Sequence, residues 1–237
     1  NSRLTDPDFY EHANDFCDIL DVGSGPAGIA AAKEAADKKL DVILVEQDNF
    51  IGGDQLSETS FDSNNALAEL RSLGVRVMKR TTAFGLYDNC VLGLIERVKD
   101  QSNPINKELP KQRFWIVRAK HVIIGSGAFE RHIAFNNNDV PGSMTVNASK
   151  HYLNRYGVLT GKNIVISTNN DSAYGTAETL VKAGAKVIVL DNRENLNSNL
   201  TNNNFEVRNG VVPYNINGTR EIKSLDIADS VNSTYKK

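Results

Sequence analysis

Six consecutive residues, Gly23-Ser-Gly-Pro-Ala-Gly28, restrict this chain more than any other part of it. They spell G-x-G-x-x-G, and their setting gives the pattern meaning. Upstream, Asp18-Ile-Leu-Asp-Val22 is a short apolar-rich run that stops at glycine; downstream, residues 29–39 are alanine-rich and favour a helix. Asp41-Val-Ile-Leu-Val45 follows, a β-branched run suited to a parallel strand covered on both faces, and it ends at Glu46. Strand, glycine loop, helix, strand and terminal acid together predict a βαβ unit that binds an adenine dinucleotide. Gly23 permits the tight turn, Gly25 lets the backbone approach a pyrophosphate, and Gly28 allows close helix–strand packing. The helix start then offers free N–H donors and a positive dipole end. Glu46 stands where a carboxylate accepts hydrogen bonds from ribose hydroxyls. It would repel a 2′-phosphate, and no Arg immediately follows it, so an unphosphorylated ribose is expected. NAD and FAD share the same ADP half, and the loop by itself leaves both open.

Asp21 breaks the pattern, since a charge in a strand beside Gly23 is costly to bury without a partner.

The rest of the chain predicts three parts: a linker over residues 1–16, a dinucleotide-binding domain over 17–150, and a second Rossmann-like half over 151–237. Within the first domain a short helix is expected over residues 66–73, with Gly74 behind it. Extended stretches over 75–78, 82–87 and 91–98 follow, the last two joined by the turn Tyr87-Asp-Asn-Cys90 as in an antiparallel meander. Residues 100–112, with Pro104 and Pro110, read as a surface loop; residues 113–118 and 121–124 return to strand character. The second βαβ pattern has strands over 164–167 and 186–190 around a helix over 173–183. Its loop, Thr168-Asn-Asn-Asp-Ser-Ala173, lacks the glycines; asparagine bulk and aspartate charge would obstruct a pyrophosphate, so no nucleotide is expected there. Residues 195–204 read as a floppy polar connection, and residues 205–214 and 221–227 as strands. The chain starts without Met and stops before a second sheet would close, so a piece of a longer polypeptide is expected.

With 27 basic and 29 acidic side chains the formal charge is -2, which gives no basic excess for nucleic acid. No apolar run approaches the ~20 residues that span a bilayer, and the first residues carry no apolar leader. The only cysteines, Cys17 and Cys90, form no C-x-x-C pair, which argues against a redox dithiol and a zinc site. Free thiols in a reducing cytoplasm are the expectation. His12, His121, His132 and His151 are scattered, so neither catalytic nor metal residues are expected.

Several segments carry a more specific likeness. The stretches 18–28 and 46–54, Thr82-Ala-Phe-Gly-Leu-Tyr-Asp88 and Gly125-Ser-Gly-Ala-Phe-Glu-Arg131 resemble the α subunit of heterotetrameric sarcosine oxidases. So do Asn138-Asp-Val-Pro-Gly-Ser-Met144, Tyr152-Leu-Asn-Arg-Tyr-Gly157 and Thr168-Asn-Asn-Asp-Ser-Ala-Tyr174. The resemblance implies an α/β fold: an FAD/NAD(P)-binding Rossmann-like domain of the two-dinucleotide-binding flavoprotein type, with a small antiparallel meander and a truncated second Rossmann-like half. It implies NAD in the glycine loop. FAD, FMN and tetrahydrofolate would belong to the whole assembly, with the other subunits and the remainder of the α chain as partners. That assembly demethylates sarcosine oxidatively to glycine and releases peroxide, and a fragment of it is expected to be inactive. Carried over by position, Gly23, Gly25, Pro26, Ala27 and Gly28 would lie at the pyrophosphate. Glu46, Gln47 and Asp48 would lie at the ribose, Gly53 and Asp54 beside the loop, Ala83 near the adenine, and Gly127 in the closing segment. The chain departs from the family at Asp21 and at Asp54, where the family has a small or hydroxyl residue.

Two other classes compete: a self-sufficient FAD-dependent disulfide reductase or related amine or opine dehydrogenase subunit, and a non-catalytic scaffold. The missing C-x-x-C and missing second glycine loop weigh against the reductase.

Overall fold

A computed structural model describes residues 8–58, 60–101, 108–195, 204–229 and 235–236. The chain forms two compact units, Asn1–Ala128 and Phe129–Lys237. The division falls after Ala128 and not at the expected residue 150.

The first unit is built on one six-stranded sheet. Its strands are β1 (Tyr10–Val22), β2 (Val42–Val45), β3 (Arg76–Met78), β4 (Thr81–Tyr87), β5 (Val91–Glu96) and β6 (Gln112–Ile124). Their order is β3-β2-β1-β6-β5-β4. The first four run parallel; β4 and β5 pair antiparallel as expected, and β6 extends them into a three-stranded meander while β3 joins the parallel part. β1 and β6 pair in parallel from Tyr10↔Gln112 to Val22↔Ile124. Residues 10–16 are therefore strand and not linker. They alternate exposed and half-buried (Tyr10, His12, Asn14 and Phe16 outward) because one face of the sheet is open there. Polar residues on both faces hid this alternation from sequence reading. The two runs expected over 113–118 and 121–124 are likewise one strand, continuous through Lys120.

Helix α1 (Pro26–Asp37) buries Gly28, Ile29, Ala32, Ala35 and Ala36, one stripe at helical spacing. Its small side chains let the axis approach the sheet, where Ile19, Val42 and Leu44 close the core with Leu70 of α2 (Ser63–Ser72). Each fully buried aliphatic side chain contributes about 1.5–3 kcal/mol. Asp62 caps α2 by accepting from the amides of Asn64 and Asn65, and Gly74 ends it with φ +86°. At the lower sheet edge Arg76 donates to Asp15 at 2.6 Å, Asp41 at 2.8 Å and the carbonyl of Phe16 at 2.8 Å, tying three segments together.

The second unit holds α3 (Val146–Tyr156), β7 (Asn163–Thr168), α4 (Ser172–Lys182), β8 (Lys186–Asp191), β9 (Glu206–Asn209), β10 (Val211–Gly218), β11 (Ile222–Asp229) and β12 (Tyr235–Lys236). β7, β8 and β9 form a parallel sheet, so the second βαβ expectation holds; β10, β11 and β12 form an antiparallel one. The single strand expected over 205–214 is broken at Gly210, whose φ of +69° sends its halves into different sheets. Most of the connection expected over 195–204 lies outside the described residues. α3 was not expected. Thr145 caps it, the Glu130 carboxylate accepts from the amides of Val146 and Asn147, and Gly157 ends it at φ +68°. Among the described residues no helix is long and apolar enough to cross a membrane.

Candidate dinucleotide cradle

β1 hands the chain to α1 through the six-residue loop. Gly23 sits at φ +103°, and a Cβ there would stand 2.5 Å from the carbonyl oxygen of Gly125. Gly125 holds this approach by donating to the Val22 carbonyl at 2.8 Å. A Cβ on Gly28 would collide with the Gly23 carbonyl. Gly25 is different: it is extended (φ -67°, ψ -177°), and a Cβ would meet nothing within 4 Å. Two of the glycines are thus required by the protein itself, while the third keeps a surface open. Pro26 opens α1 without an N–H to satisfy, and the first-turn amides of Ala27 and Gly28 have no acceptor within the helix. The cradle presents donors and a positive helix end.

Its second wall comes from β2 and the turn beyond. Glu46 is buried. Its Oε2 accepts from both the amide (3.0 Å) and the hydroxyl of Ser24, and its Oε1 accepts from the Asp48 amide at 2.8 Å. Three of the four lone-pair directions of the carboxylate are taken by these bonds, so one acceptor position, on Oε1, is left for a ligand hydroxyl. Gly52 donates to the Ser24 carbonyl at 2.9 Å, and a Cβ on Gly53 (φ +55°) would lie 3.1 Å from Gly25 Cα. The glycine pair therefore packs directly on the loop. Asp54 is exposed in the first turn of the following 3-10 helix, Gly53–Ser57.

The remaining expected residues sit further out. Gln47 is exposed, and its carbonyl accepts from Arg97 Nη2 at 2.9 Å. The Asp48 carboxylate accepts from the Asn49 amide, and its carbonyl from the Arg80 amide. Ala83 is half-buried on β4, two residues beyond Thr81, whose amide donates to the Glu46 carbonyl at 2.8 Å. Gly127 is exposed at φ +73° with nothing near its Cβ position; Gly125 is the residue of that segment that touches the loop. Sequence reasoning missed Gly125 and Ser24. The G-x-G after the 121–124 run was the available signal for the first, and nothing in the sequence marked the second.

Beneath the loop lies Asp21. It has no solvent exposure, and neither carboxyl oxygen has a hydrogen-bond partner. Its Oδ1 stands 3.4 Å from the position a Gly28 Cβ would take. Burial pushes this carboxyl up to about 7.

The second Rossmann-like half differs at both of the corresponding positions. Asn170 Oδ1 accepts from the Ser172 amide and hydroxyl, so the start of α4 carries a side-chain acceptor on its loop where the first half has glycine. Asp191 ends β8 as Glu46 follows β2, but it is fully buried and committed. Arg193 Nε and Nη2 grip its two oxygens at 3.0 and 2.8 Å, and the Tyr174 hydroxyl donates to it at 2.9 Å. Arg193 also reaches Asp171 at 2.8 Å. Burial works to raise the Asp191 carboxyl, yet the bonds from Arg193 outweigh it and hold it below the usual range; burial, then the bond to Asp191, pushes Tyr174 up to about 12.

One histidine finds partners that its isolation in sequence concealed. His132 Nε2 lies 3.1 Å from Ser143 Oγ, and its Nδ1 lies 3.2 Å from Asn138 Nδ2. That same amide nitrogen donates to the Ile133 carbonyl at 2.6 Å, so it faces His132 as a donor and leaves the ring proton on Nε2. Ser143 then accepts and is not activated. Among the described residues no group of three or more His, Cys, Asp or Glu side chains could hold a metal ion.

The family model for pyridine nucleotide-disulphide oxidoreductases matches residues 18–209. Sarcosine oxidase subunit alpha of Rhizobium meliloti (strain 1021) is 41% identical over 202 residues, 81% of this chain and 20% of that protein. The subunit of the same name from Corynebacterium sp. (strain U-96) is 35% identical over 204 residues, 81% of this chain and 21% of its own. The chain spans about a fifth of the length of these curated relatives. In fold it is similar to L-proline dehydrogenase from P. horikoshii (TM-score 0.65, 20% identity, 96% of this chain and 41% of that one). Thioredoxin reductase of Lactococcus lactis gives the same TM-score of 0.65 at 18% identity, covering 93% of this chain and 73% of that one. With a glycine cradle built on a parallel sheet and a family match over most of its length, the chain belongs to the pyridine nucleotide-disulphide oxidoreductase family.

Proposed function

We propose that this chain is the dinucleotide-binding part of the α subunit of a sarcosine oxidase-like assembly, and that its glycine loop holds NAD. The observation that carries the reading is the open face of Gly25 at the start of α1, flanked by the free amides of Ala27 and Gly28. Residues 23–28 would hold the pyrophosphate, with Gly53 and Asp54 beside it. Glu46, Gln47 and Asp48 would hold the adenosine ribose, Ala83 the adenine edge, and Gly127 the rim. The choice of NAD over FAD rests on the resemblance implied by the loop and its flanking segments, and the likeness to longer sarcosine oxidase α subunits supports other subunits and the remainder of an α chain as partners. In that setting the whole assembly oxidises sarcosine to glycine with FAD, FMN, tetrahydrofolate and oxygen, in the cytoplasm. NAD, when bound, supplies a nicotinamide able to take a hydride; this chain's residues supply binding and orientation. No residue here is assigned to catalysis, and the 237 residues are inactive toward sarcosine without their partners.

The disulfide-reductase alternative finds little support, because Cys17 is buried in β1 and Cys90 lies in the turn between β4 and β5, both as free thiols. Denaturing the purified full-length protein and identifying the nucleotide released from this region tests the reading. NAD at one per chain is expected. A flavin released from the glycine loop, or no nucleotide, overturns it.

A further inference from the structure

Asp21 is a carboxyl without solvent, a hydrogen bond or a countercharge, set directly below the first turn of α1. The elements packed around it leave it so. β2 places Leu44 alongside it and leads to Glu46, whose carboxylate is turned to Ser24. β6 places Ile123 on its other side, with His121 exposed two residues earlier. The first charged residue of α1 is Lys33, which pairs with Glu69 of α2, and Asp54 beyond the glycine pair is exposed. The positive start of α1 is thus the favourable field available to an ionised Asp21. A pyrophosphate on the loop would draw on that same helix end and bring two negative charges of its own.

We propose that a dinucleotide seated on the 23–28 loop takes up one proton from solvent on Asp21, so that this strand carboxyl makes binding pH-dependent. The inference rests on the proposed reading of the loop. Two anions compete for one helix end; the ligand's charges are fixed across neutral pH, so Asp21 is the one that yields by protonating. Its raised affinity for a proton in the free protein is consistent with this. By linkage, the affinity falls as pH rises through the titration of Asp21 in the free protein, and one proton is taken up per dinucleotide where the carboxyl is ionised beforehand.

Calorimetric titration of NAD into nucleotide-free full-length protein, at about pH 6 and about pH 8.5, tests this. Running each pH in two buffers of different ionisation heat counts the protons taken up. The wild type is expected to bind about tenfold more weakly at the higher pH, with net proton uptake. Asp21→Asn and Asp21→Val are expected to hold one affinity within about twofold at both pH values, without uptake. These replacements differ in shape and polarity, so either one that folds serves. His121→Asn is expected to keep the wild-type slope. A wild type with flat affinity and no uptake, or Asp21 variants that retain the slope, overturns the proton linkage while leaving the loop assignment standing. No binding of NAD at either pH overturns both.

Discussion

Ser24 gives both its amide and its hydroxyl to one oxygen of Glu46, so the acid that ends the second strand is anchored to the middle of the glycine loop. On the proposed function, ribose recognition and loop shape are therefore coupled. Glu46→Ala is expected to weaken NAD binding by ~1–3 kcal/mol and to lower thermal stability as well, since a buried amide loses its acceptor. Calorimetry and thermal melts on the same preparation check the two effects. Full affinity in the variant would move the ribose contact to Gln47 or Asp48.

Gly25 and Gly28 are expected to fail differently. A side chain at Gly25 enters open space in an ordinary backbone conformation, so Gly25→Val keeps the fold and abolishes dinucleotide binding. A side chain at Gly28 strikes the Gly23 carbonyl, so Gly28→Ala costs about 1–3 kcal/mol of stability even without ligand. Melting curves separate the pair. A Gly25→Val protein that retains nucleotide at wild-type stoichiometry would remove the loop from the binding site.

Stability near neutrality is expected to improve on removing the Asp21 charge. A carboxyl whose folded-state value is raised to about 7 stabilises the fold relative to the ionised chain only at low pH, and that benefit is lost between about 4 and 7 as pH rises. Above this window the buried charge costs on the order of 4 kcal/mol, and Asp21→Asn recovers much of it. Urea midpoints measured at about pH 5 and about pH 8 should diverge between wild type and variant at the higher value. Equal midpoints at both would contradict the burial argument.

Asp191 carries the opposite sign. Its folded-state value is lowered, so it stabilises the second unit above the usual carboxylate range, and that contribution is lost as pH falls through the lowered value. Asp191→Asn is expected to flatten the acid side of the stability profile. Tyr174→Phe removes one buried hydrogen bond and is expected to cost about 1 kcal/mol at neutral pH. Neither change is expected to create nucleotide binding in this half, because its loop still lacks the glycines.

The parts of the fold legible in sequence are those where chemistry permits few residues. Gly23 and Gly28 are demanded by backbone contacts, and the alanine stripe of α1 by its close approach to the sheet. The lower half of β1 was illegible because its burial is one-sided and its residues are polar on both faces. α3 announced itself only through Thr145 and Gly157, and its third capping group, Glu130, sits sixteen residues before the amide of Val146. The missing glycines of the second loop were plain, but Arg193 was not. An arginine two residues beyond a strand-terminal aspartate becomes a plug only when α4 brings Tyr174 and Asp171 to the same place. Asp21 was legible as an anomaly, and the absence of any partner required the three-dimensional packing.

The pairing of the two thirteen-residue strands β1 and β6 has a consequence for the order of events on the ribosome. Tyr10 waits for Gln112, and Gly23 waits for Gly125, so the cradle cannot close until the whole of β6 has been synthesised. Contacts this distant in sequence slow folding, because the intervening chain must be gathered before the pairing rewards it. Until then α1 can form as a local helix, with its apolar stripe against β2, α2 and a β1 paired on one side only. The nascent chain thus exposes a bare parallel edge for roughly the time needed to make a hundred residues, on the order of 5–20 s at ordinary translation rates. The end of that interval is the first moment at which the proposed dinucleotide site is complete.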